Sequence, residues 1–293
     1  MRTSIAIRGL LAATAAAVTI PAAAITGTSW VEDNEHPFVG LVVFYDAKGE
    51  FVQRCSGSLI NSRTFLTAGH CTDATTGVVS ARVYFQQDAG ANYDPATELD
   101  PVSGYPETCA AGTLGTLCAT GSKLYNYGFA DFAGFPNTRD VGVVILDYPI
   151  ALSEYGKLPA AGTLDSLATA RGTKNTVFTV SGYGLTKRTQ EHSAVPNISF
   201  RERLMAASTL VNLNSGQNGG FNVQTQGNGS GRGGTCSGDS GGPVFLGGFE
   251  SNTIVAVTSF GLNALCRGSD FGYRIDRTDV LNWIRGVAVG TLP

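Results

Sequence analysis

Short runs of β-forming residues dominate this sequence, and they constrain its fold more than any other feature. Gly, Asn, Asp or Pro bounds each run, which is the pattern of short strands joined by turns. Helical periodicity is scarce, so the pattern predicts an all-β sandwich or barrels. The runs cover residues 38–45, 58–67, 78–86, 141–146, 176–183 and 253–260.

One segment near the C-terminus departs from this pattern and predicts a helix. Thr278 is expected to cap a helix that continues through Arg285 and stops at Gly286. Leu281 and Ile284 lie three positions apart, on one face of that helix.

Two irregular stretches interrupt the strand pattern. Residues 89–140 are rich in Gly, Pro, Asp and Asn, and residues 212–234 in Gly, Asn and Gln. Both compositions are typical of loops, although the second stretch could instead wall a binding cleft. A linker is expected near residues 148–167, where prolines interrupt the strands.

The first 24 residues have the features of a secretory signal peptide. Arg2 and Arg8 precede an apolar run over residues 9–20, and the small residues Ala22 and Ala24 follow it. A bilayer span needs roughly 20 apolar residues, so this run is too short to be an anchor. We therefore expect cleavage after Ala24, a secreted mature chain and no stable membrane anchor.

Composition excludes several classes of protein. The formal net charge is −3, with 43% hydrophobic and 15% charged residues. Intrinsic disorder needs low hydrophobicity and high net charge, and nucleic-acid binding needs a basic face. The sequence thus favours a folded core and no nucleic-acid partner.

All cysteines follow the signal segment, and their even number suggests disulfides in a secreted chain. Six cysteines allow 15 connectivities, so the sequence alone does not choose a pairing. No C-x-x-C or H-E-x-x-H pattern occurs, so neither a metal nor another cofactor is expected. The cysteines are Cys55, Cys71, Cys109, Cys118, Cys236 and Cys266.

The sharpest local signal is Cys-Ser-Gly-Asp-Ser-Gly-Gly-Pro at residues 236–243. Ser240 between glycines is accessible, and its neighbours leave backbone N–H groups free to face a substrate oxygen. The motif also matches G-x-S-x-G, the nucleophile elbow of α/β-hydrolases, whose histidine follows the serine. Since no histidine follows Ser240, that assignment is rejected.

The base must therefore precede the serine. His70 ends Thr-Ala-Gly-His after an apolar strand and lies beside Cys71. The other histidines, His36 and His192, are interpreted as surface or packing residues.

The matching acid needs a buried, oriented position. Asp140 opens the apolar strand 141–146, which would bring its carboxyl group toward the core. Asp131 and Asp147 are the competing candidates, and Asp147, at the other end of the strand, is expected to face solvent.

Together, the motifs at residues 67–71, 140–146 and 238–243 resemble those of trypsin-like (chymotrypsin-fold) serine proteases. The resemblance extends from residue 25 to the C-terminal helix. It implies two antiparallel six-stranded β-barrels, at about 25–155 and 156–293, with the active site in the cleft between them. The signal segment and sparse cysteines favour a secreted bacterial or fungal member.

The same resemblance implies the residue roles. Ser240 would attack the scissile carbonyl, His70 would act as the base, and Asp140 would orient His70. The N–H groups of Gly238 and Ser240 would form the oxyanion hole.

The resemblance also implies a disulfide pairing. Cys55 would pair with Cys71 and Cys236 with Cys266, which leaves Cys109 and Cys118 to close a local loop.

Substrate preference depends on two positions of the primary pocket. Gly234 stands where Arg- or Lys-specific members carry Asp, and alone it favours an apolar or broad preference. Ser259, Phe260 and Gly261 would form one wall. Asp270 falls where members usually carry Gly and could replace the missing acid, or a register shift could leave it solvated.

Activation in this family pairs a new N-terminal amine with the Asp before the nucleophile. Cleavage after Ala24 would free Ile25, twelve residues before Pro37, and the partner would be Asp239. We therefore expect signal cleavage itself to yield the active enzyme.

The resulting expectation is a secreted serine endopeptidase, a hydrolase that acts on proteins or peptides, with cleavage after Arg or Lys as one option. Protein protease inhibitors are further candidate partners, and a monomer is expected. An inactive protease-like binding protein and an esterase with the same triad remain alternatives.

Overall fold

The computed structural model describes residues 25–27, 29–90, 117–169, 176–186, 200–227, 231–262 and 266–292. These ranges contain two α-helices, α1 (Asp165–Thr169) and α2 (Thr278–Val287). Two short 3₁₀ turns follow one another at His70–Thr72 and Ala74–Thr76. Among the described residues, no helix is long and apolar enough to cross a lipid bilayer.

Two short strands and then a closed six-stranded barrel begin the fold. The barrel is antiparallel, and its strands follow the order β3-β4-β5-β8-β7-β6 around the ring. The bounds are β1 (Thr26–Gly27), β2 (Trp30–Glu32), β3 (Val39–Tyr45), β4 (Phe51–Leu59), β5 (Thr64–Thr67), β6 (Ser80–Tyr84), β7 (Cys118–Asn126) and β8 (Gly142–Leu146).

A second antiparallel barrel follows in the order β11-β15-β14-β13-β9-β10, and pairing of β10 with β11 closes it. The expectation of an all-β chain with two six-stranded barrels and a C-terminal helix is thereby confirmed. The bounds are β9 (Val177–Gly182), β10 (Leu204–Asn212), β11 (Asn222–Gln226), β12 (Gly233–Gly234), β13 (Pro243–Leu246), β14 (Ile254–Gly261) and β15 (Ser269–Arg274).

Both ends of the chain cross to the opposite barrel. Near the N-terminus, β1 pairs with β12, and β2 adds to the second barrel at β10. At the C-terminus, the helix α2 buries Val280 and Ile284 in the core of the first barrel. These crossings tie the barrels together and fix the cleft between them.

The predicted strand at 58–67 is wrong, because a turn divides it. β4 ends at Leu59 and β5 begins at Thr64. The side-chain oxygen of Asn61 accepts hydrogen bonds from the N–H groups of Arg63 (2.9 Å) and Thr64 (2.8 Å). This local side-chain contact makes the turn inside an otherwise apolar run.

The two irregular stretches also contain strands, β7 in the first and both β11 and β12 in the second. In β11, Val223 is fully buried. The adjacent Asn222 is buried as well and donates from Nδ2 to the carbonyl of Pro136 (2.8 Å). A buried, hydrogen-bonded asparagine hides the alternation of apolar and polar residues on which strand prediction depends.

The helix prediction is wrong at both ends by a small margin. Arg277, and not Thr278, is the N-terminal cap, and it makes no capping hydrogen bond with its side chain. At the other end, the helix passes Gly286 and includes Val287, and Ala288 donates to the carbonyl of Ile284. Glycine lowers helix propensity without forcing an end, and packing of the buried face outweighs it.

Candidate active site

His70 lies in the 3₁₀ turn that follows β5. From β4, Gln53 Nε2 donates to the carbonyl oxygens of His70 (3.2 Å) and Cys71 (3.0 Å). A disulfide between Cys55 and Cys71 joins β4 to the same turn. The imidazole remains 25% exposed. The backbone of this turn is therefore fixed while the ring stays accessible.

Asp140 lies immediately before the segment that forms β8, and it is fully buried. Its Oδ1 accepts from the His70 backbone N–H (2.7 Å), and its Oδ2 lies 2.9 Å from His70 Nδ1. Ser259 Oγ donates to Oδ2 at 2.5 Å. Because a carboxylate only accepts, Nδ1 carries the proton and a neutral ring leaves Nε2 as an acceptor.

The competing acids lie elsewhere. Asp131 is exposed in the loop between β7 and β8. At the far end of β8, Asp147 accepts from Thr120 Oγ1 (2.7 Å) and Ser122 Oγ (2.6 Å). Of the three candidates, the structure brings Asp140 to His70.

Opposing effects set the pKa of His70. Burial disfavours the charged imidazolium and lowers the pKa, whereas the Asp140 carboxylate stabilises the charge. Attraction to Asp140, with a smaller contribution from Asp73, outweighs burial and raises the pKa above its usual 6.5. The Asp140 carboxylate therefore favours the protonated form of the His70 ring.

Ser240 lies in a tight loop that the second barrel holds against the first. Its carbonyl accepts from the N–H of Ser56 (2.8 Å), and Ser56 Oγ donates to the carbonyl of Gly238 (2.8 Å). Gly241 has φ +78°, and a Cβ there would lie 2.1 Å from Thr67 Oγ1. Glycine alone permits this close approach of the loop to β5.

The N–H groups of Gly238 and Ser240 are the expected donors to a substrate oxygen. Within the described residues, neither donates an intramolecular hydrogen bond.

Asp239 is fully buried beside this loop. Its carboxylate accepts from the N–H groups of Gly184 (2.8 Å) and Cys236 (2.9 Å). Burial raises the pKa of Asp239 to about 8 despite those bonds, and the charge of Asp270 adds to the increase. Among the residues that the structure describes, no cation pairs with this carboxylate to stabilise its ionised form.

Ile25 is also fully buried and belongs to the core of the second barrel. The strand that follows it begins at Thr26, which pairs with Gly234. The predicted new N-terminus therefore lies in the second barrel, next to a strand that leads into the Ser240 loop.

Asp270 lies beside both glycines of the expected pocket and is 8% exposed. A Cβ on Gly234 would be 2.6 Å from Asp270 Oδ2, and one on Gly261 would be 3.9 Å from Oδ1. Thr235 N–H donates to Oδ2 (3.0 Å). Burial nevertheless raises the pKa of Asp270 to about 7. The sequence left open whether Asp270 lies in the pocket or is solvated, and the structure shows that its side chain is buried.

A row of phenylalanines, which the sequence analysis missed, extends from His70 to the pocket wall. Phe129 lies 5.8 Å from the His70 ring and 5.4 Å from Phe132. Phe132 contacts Phe260 edge-on at 5.5 Å, and Phe260 stacks on Phe271 at 4.5 Å. A cleft of about 440 Å³ opens between this row and the turn at residues 73–76.

The remaining predicted residues have other positions. His36 is fully buried, with Nδ1 2.9 Å from the Asp33 carboxylate, and it stacks on Phe245 at 4.3 Å. This is a packing role. His192 lies outside the described residues.

Two disulfides join segments of the candidate site. Besides Cys55–Cys71, a bond joins Cys236 to Cys266 and ties the Ser240 loop to the segment before β15. Cys118 is also disulfide-bonded. Its expected partner, Cys109, lies outside the described residues.

A model of one protein family, described as Trypsin, matches residues 25–110 and 123–284. The chain belongs to the trypsin family. As a member of this family, the chain is classed as a trypsin-like serine protease and therefore as a hydrolase.

Curated relatives of this trypsin-family chain share about a quarter of their residues with it. Brachyurin of Leptuca pugilator is 29% identical over 79% of this chain and 86% of its own. CLIP domain-containing serine protease B10 of Anopheles gambiae is 27% identical over 89% and 68%. Venom plasminogen activator Haly-PA of Gloydius brevicauda is 27% identical over 88% and 84%. All three are animal proteins, so these matches do not show a bacterial or fungal type.

Solved structures support the same fold. An HL collagenase structure superposes with a TM-score of 0.60 at 17% identity, covering 90% of this chain and all of that one. Human heparin binding protein gives a TM-score of 0.60 at 22% identity, covering 92% and 100%. At these identities the likeness concerns the trypsin-family fold alone.

Proposed function

We propose that the chain is a secreted serine endopeptidase that hydrolyses peptide bonds through an acyl-enzyme intermediate. The observation that carries this proposal is the buried Asp140 carboxylate, which holds Nδ1 of the accessible His70 imidazole. Family membership supports peptide hydrolysis as the reaction class.

In the proposed reaction, Ser240 Oγ attacks the scissile carbonyl while His70 Nε2 takes its proton. The N–H groups of Gly238 and Ser240 stabilise the oxyanion, and loss of one such donor typically costs about 10²–10³ in rate. His70 then protonates the leaving amine, which departs and leaves an acyl group on Ser240. Water, deprotonated by His70, hydrolyses that ester and restores the enzyme.

Asp140 supports these steps by orientation and charge. Its three hydrogen bonds, from His70 N–H, His70 Nδ1 and Ser259 Oγ, fix the carboxylate in one position. The carboxylate then stabilises the imidazolium that forms when His70 takes the serine proton.

For specificity, the proposal is cleavage after Arg or Lys. The buried Asp270 carboxylate next to Gly234 favours a cationic side chain, since burial of an unpaired carboxylate is costly. Ser259, Phe260 and Gly261 form the adjacent wall in this proposal.

For activation, the proposal is that cleavage after Ala24 frees Ile25, whose amine pairs with Asp239. Asp239 is buried and has no cationic partner within the described part of the chain, which supports this proposal. Pairing should raise the amine pKa above the usual ~7.7–8.0, so activity should decline at alkaline pH. N-terminal sequencing of the active secreted protein tests this, and any start other than Ile25 would refute it.

Secretion by way of the signal segment 1–24, a monomeric state, inhibition by protein protease inhibitors and a bacterial or fungal type belong to the same proposal. The disulfides are consistent with an oxidising, extracellular location. Expression with the native leader, followed by analysis of the culture medium, tests secretion.

A mixed peptide library, read by mass spectrometry, tests the activity, with Ser240→Ala as the inactive control. Cleavage after Arg or Lys that Ser240→Ala abolishes is the expected result. Hydrolysis of esters without amides would identify an esterase, and no hydrolysis of either would favour the inactive binding protein.

A further inference from the structure

Asn126 connects the two segments that meet at His70. It is the last residue of β7 and pairs with Gly142 of β8, two residues after Asp140. The loop that begins here carries Phe129 to the edge of the imidazole.

The Asn126 side chain makes hydrogen bonds in two directions. Its Nδ2 donates to the carbonyl oxygen of Gly69 at 2.8 Å. Its Oδ1 accepts from the N–H groups of Gly128 (2.7 Å) and Phe129 (2.8 Å). This amide orientation is the one that gives every atom a complementary partner, because a carbonyl accepts and N–H groups donate.

The bond to Gly69 acts on the peptide unit that carries His70. That unit contains the Gly69 carbonyl at one end and the His70 N–H at the other. The N–H donates to Asp140 at 2.7 Å, while the carbonyl accepts from Asn126. A peptide unit is planar, so holding both ends fixes its plane and the direction in which the His70 side chain leaves the backbone.

Gly69 itself lies against two other segments, the turn that carries Phe129 and the segment from Arg139 to Val141. A Cβ there would meet Phe129 Cβ at 2.9 Å, Val141 N at 3.0 Å and the Arg139 carbonyl at 3.2 Å. Small movements of the Phe129 turn therefore press directly on the peptide before His70. By holding that turn through Oδ1, Asn126 controls this contact as well.

We propose that Asn126 is a positioning residue for His70, an inference that rests on the proposed function. It sets the tilt of the imidazole between Asp140 and Ser240 and keeps Phe129 beside the ring. The Thr72 N–H also donates to the Gly69 carbonyl at 3.0 Å, while the Thr72 hydroxyl is shared between that carbonyl (3.2 Å) and the carbonyl of Tyr125 (3.0 Å). Because Thr72 retains the carbonyl's hydrogen bonding, loss of Asn126 should alter orientation rather than unfold the turn.

The principal test is Asn126→Asp, which keeps the Oδ1 acceptor but replaces the Nδ2 donor by an oxygen facing the Gly69 carbonyl. We expect kcat to fall about 10- to 100-fold, as misplacement of a reacting group does, with KM changed less than about threefold. Asn126→Ala, which adds no charge, should reduce kcat in the same range, and it replaces the aspartate variant if that one fails to fold.

Asn212→Asp is the matched control. Asn212 ends β10 and makes the same kind of turn, with Oδ1 accepting from Asn214 N–H (2.8 Å) and Ser215 N–H (3.1 Å). The loop that follows it, residues 213–221, contains none of the proposed site residues, so the Asn212 variant should match the wild type in kcat and KM.

A spectroscopic measurement does not depend on turnover. The Nδ1 proton of His70 should give a low-field NMR signal that shifts or broadens in Asn126→Asp. The proton between His36 and Asp33 is an internal reference that should not move. Wild-type kcat in both Asn126 variants, with an unchanged His70 signal, would overturn the inference. Absence of turnover in the wild type would instead defeat the proposed function, while the His70 signal would still decide the role of Asn126.

Discussion

The two barrels differ in the carboxylates that they bring to the candidate site. In the first, Asp140 is paired with His70 within the chain. In the second, Asp239 and Asp270 accept backbone N–H groups, and burial raises their pKa values to about 8 and about 7. Asp140 thus has its partner in the folded chain, whereas no described residue supplies a cation to Asp239 or Asp270. The proposed N-terminal amine and a cationic substrate side chain would supply these cations.

The largest expected effect on activity concerns the pair formed by Asp140 and His70. Asp140→Asn should leave the fold intact and reduce kcat by about 10⁴, because the amide stabilises neither the correct tautomer nor the imidazolium. Steady-state kinetics measures this. The control Asp147→Asn removes the acid at the other end of the same strand, and near-normal activity in Asp140→Asn would transfer the role to Asp131 or Asp147.

The next effect concerns the pocket. Asp270→Ser should reduce kcat/KM for Arg and Lys substrates about 100-fold, as expected when a charged hydrogen-bond partner is lost. Apolar substrates should be much less affected. A library in which wild-type cleavage follows Phe, Leu or Ala would contradict the pairing and make Gly234 the deciding residue.

The third prediction concerns how the stability of the folded chain depends on pH before and after cleavage at Ile25. An unfolded carboxyl group titrates near 3.8, but Asp239 in the uncleaved chain has a pKa of about 8. Between these values the folded state binds the extra proton, so stability should fall as pH rises from about 4 to 8. Thermal unfolding of uncleaved protein should follow this trend. Asp239→Asn should make the trend shallower, and so should a mature chain that begins at Ile25, while Asp270, with a pKa of about 7, keeps part of it in both. An equally steep trend in the mature chain would argue against the Ile25 amine as partner.

The smallest effect concerns Asp73, whose charge contributes to the raised pKa of His70. Asp73→Asn should shift the acidic limb of the kcat/KM profile to slightly lower pH. Asp46 makes a similar turn, accepting from Lys48 N–H at 2.8 Å, so Asp46→Asn is the control. Equal shifts in both variants would show that general surface charge is responsible.

Sequence patterns predicted the parts of the molecule that depend on local chemistry. The apolar runs predicted an all-β sandwich or barrels, the family resemblance chose the two barrels, and the motif around His70 placed it after an apolar strand. β11 was missed because Asn222 is buried and bonded to Pro136, a contact 86 positions away in the chain. Strand periodicity cannot indicate a buried amide whose partner is distant.

The site shows the same limit. Ser259 was expected only as a pocket wall, yet its hydroxyl donates to Asp140. Asn126 carries only a weak signal, an asparagine two residues before a glycine, which is typical of many turns. Its contact with Gly69 arises from the pairing of β7 with β8 and is visible only after folding.

Labelling with a fluorophosphonate tests the central claim most directly, because the reagent reacts with an activated serine. We predict one label per chain, mapped by peptide mass spectrometry to Ser240 and almost absent in His70→Ala. Its rate in the wild type should rise as His70 loses its proton. A label on another serine, no label on folded mature protein, or equal labelling of Ser240 in His70→Ala would contradict the account.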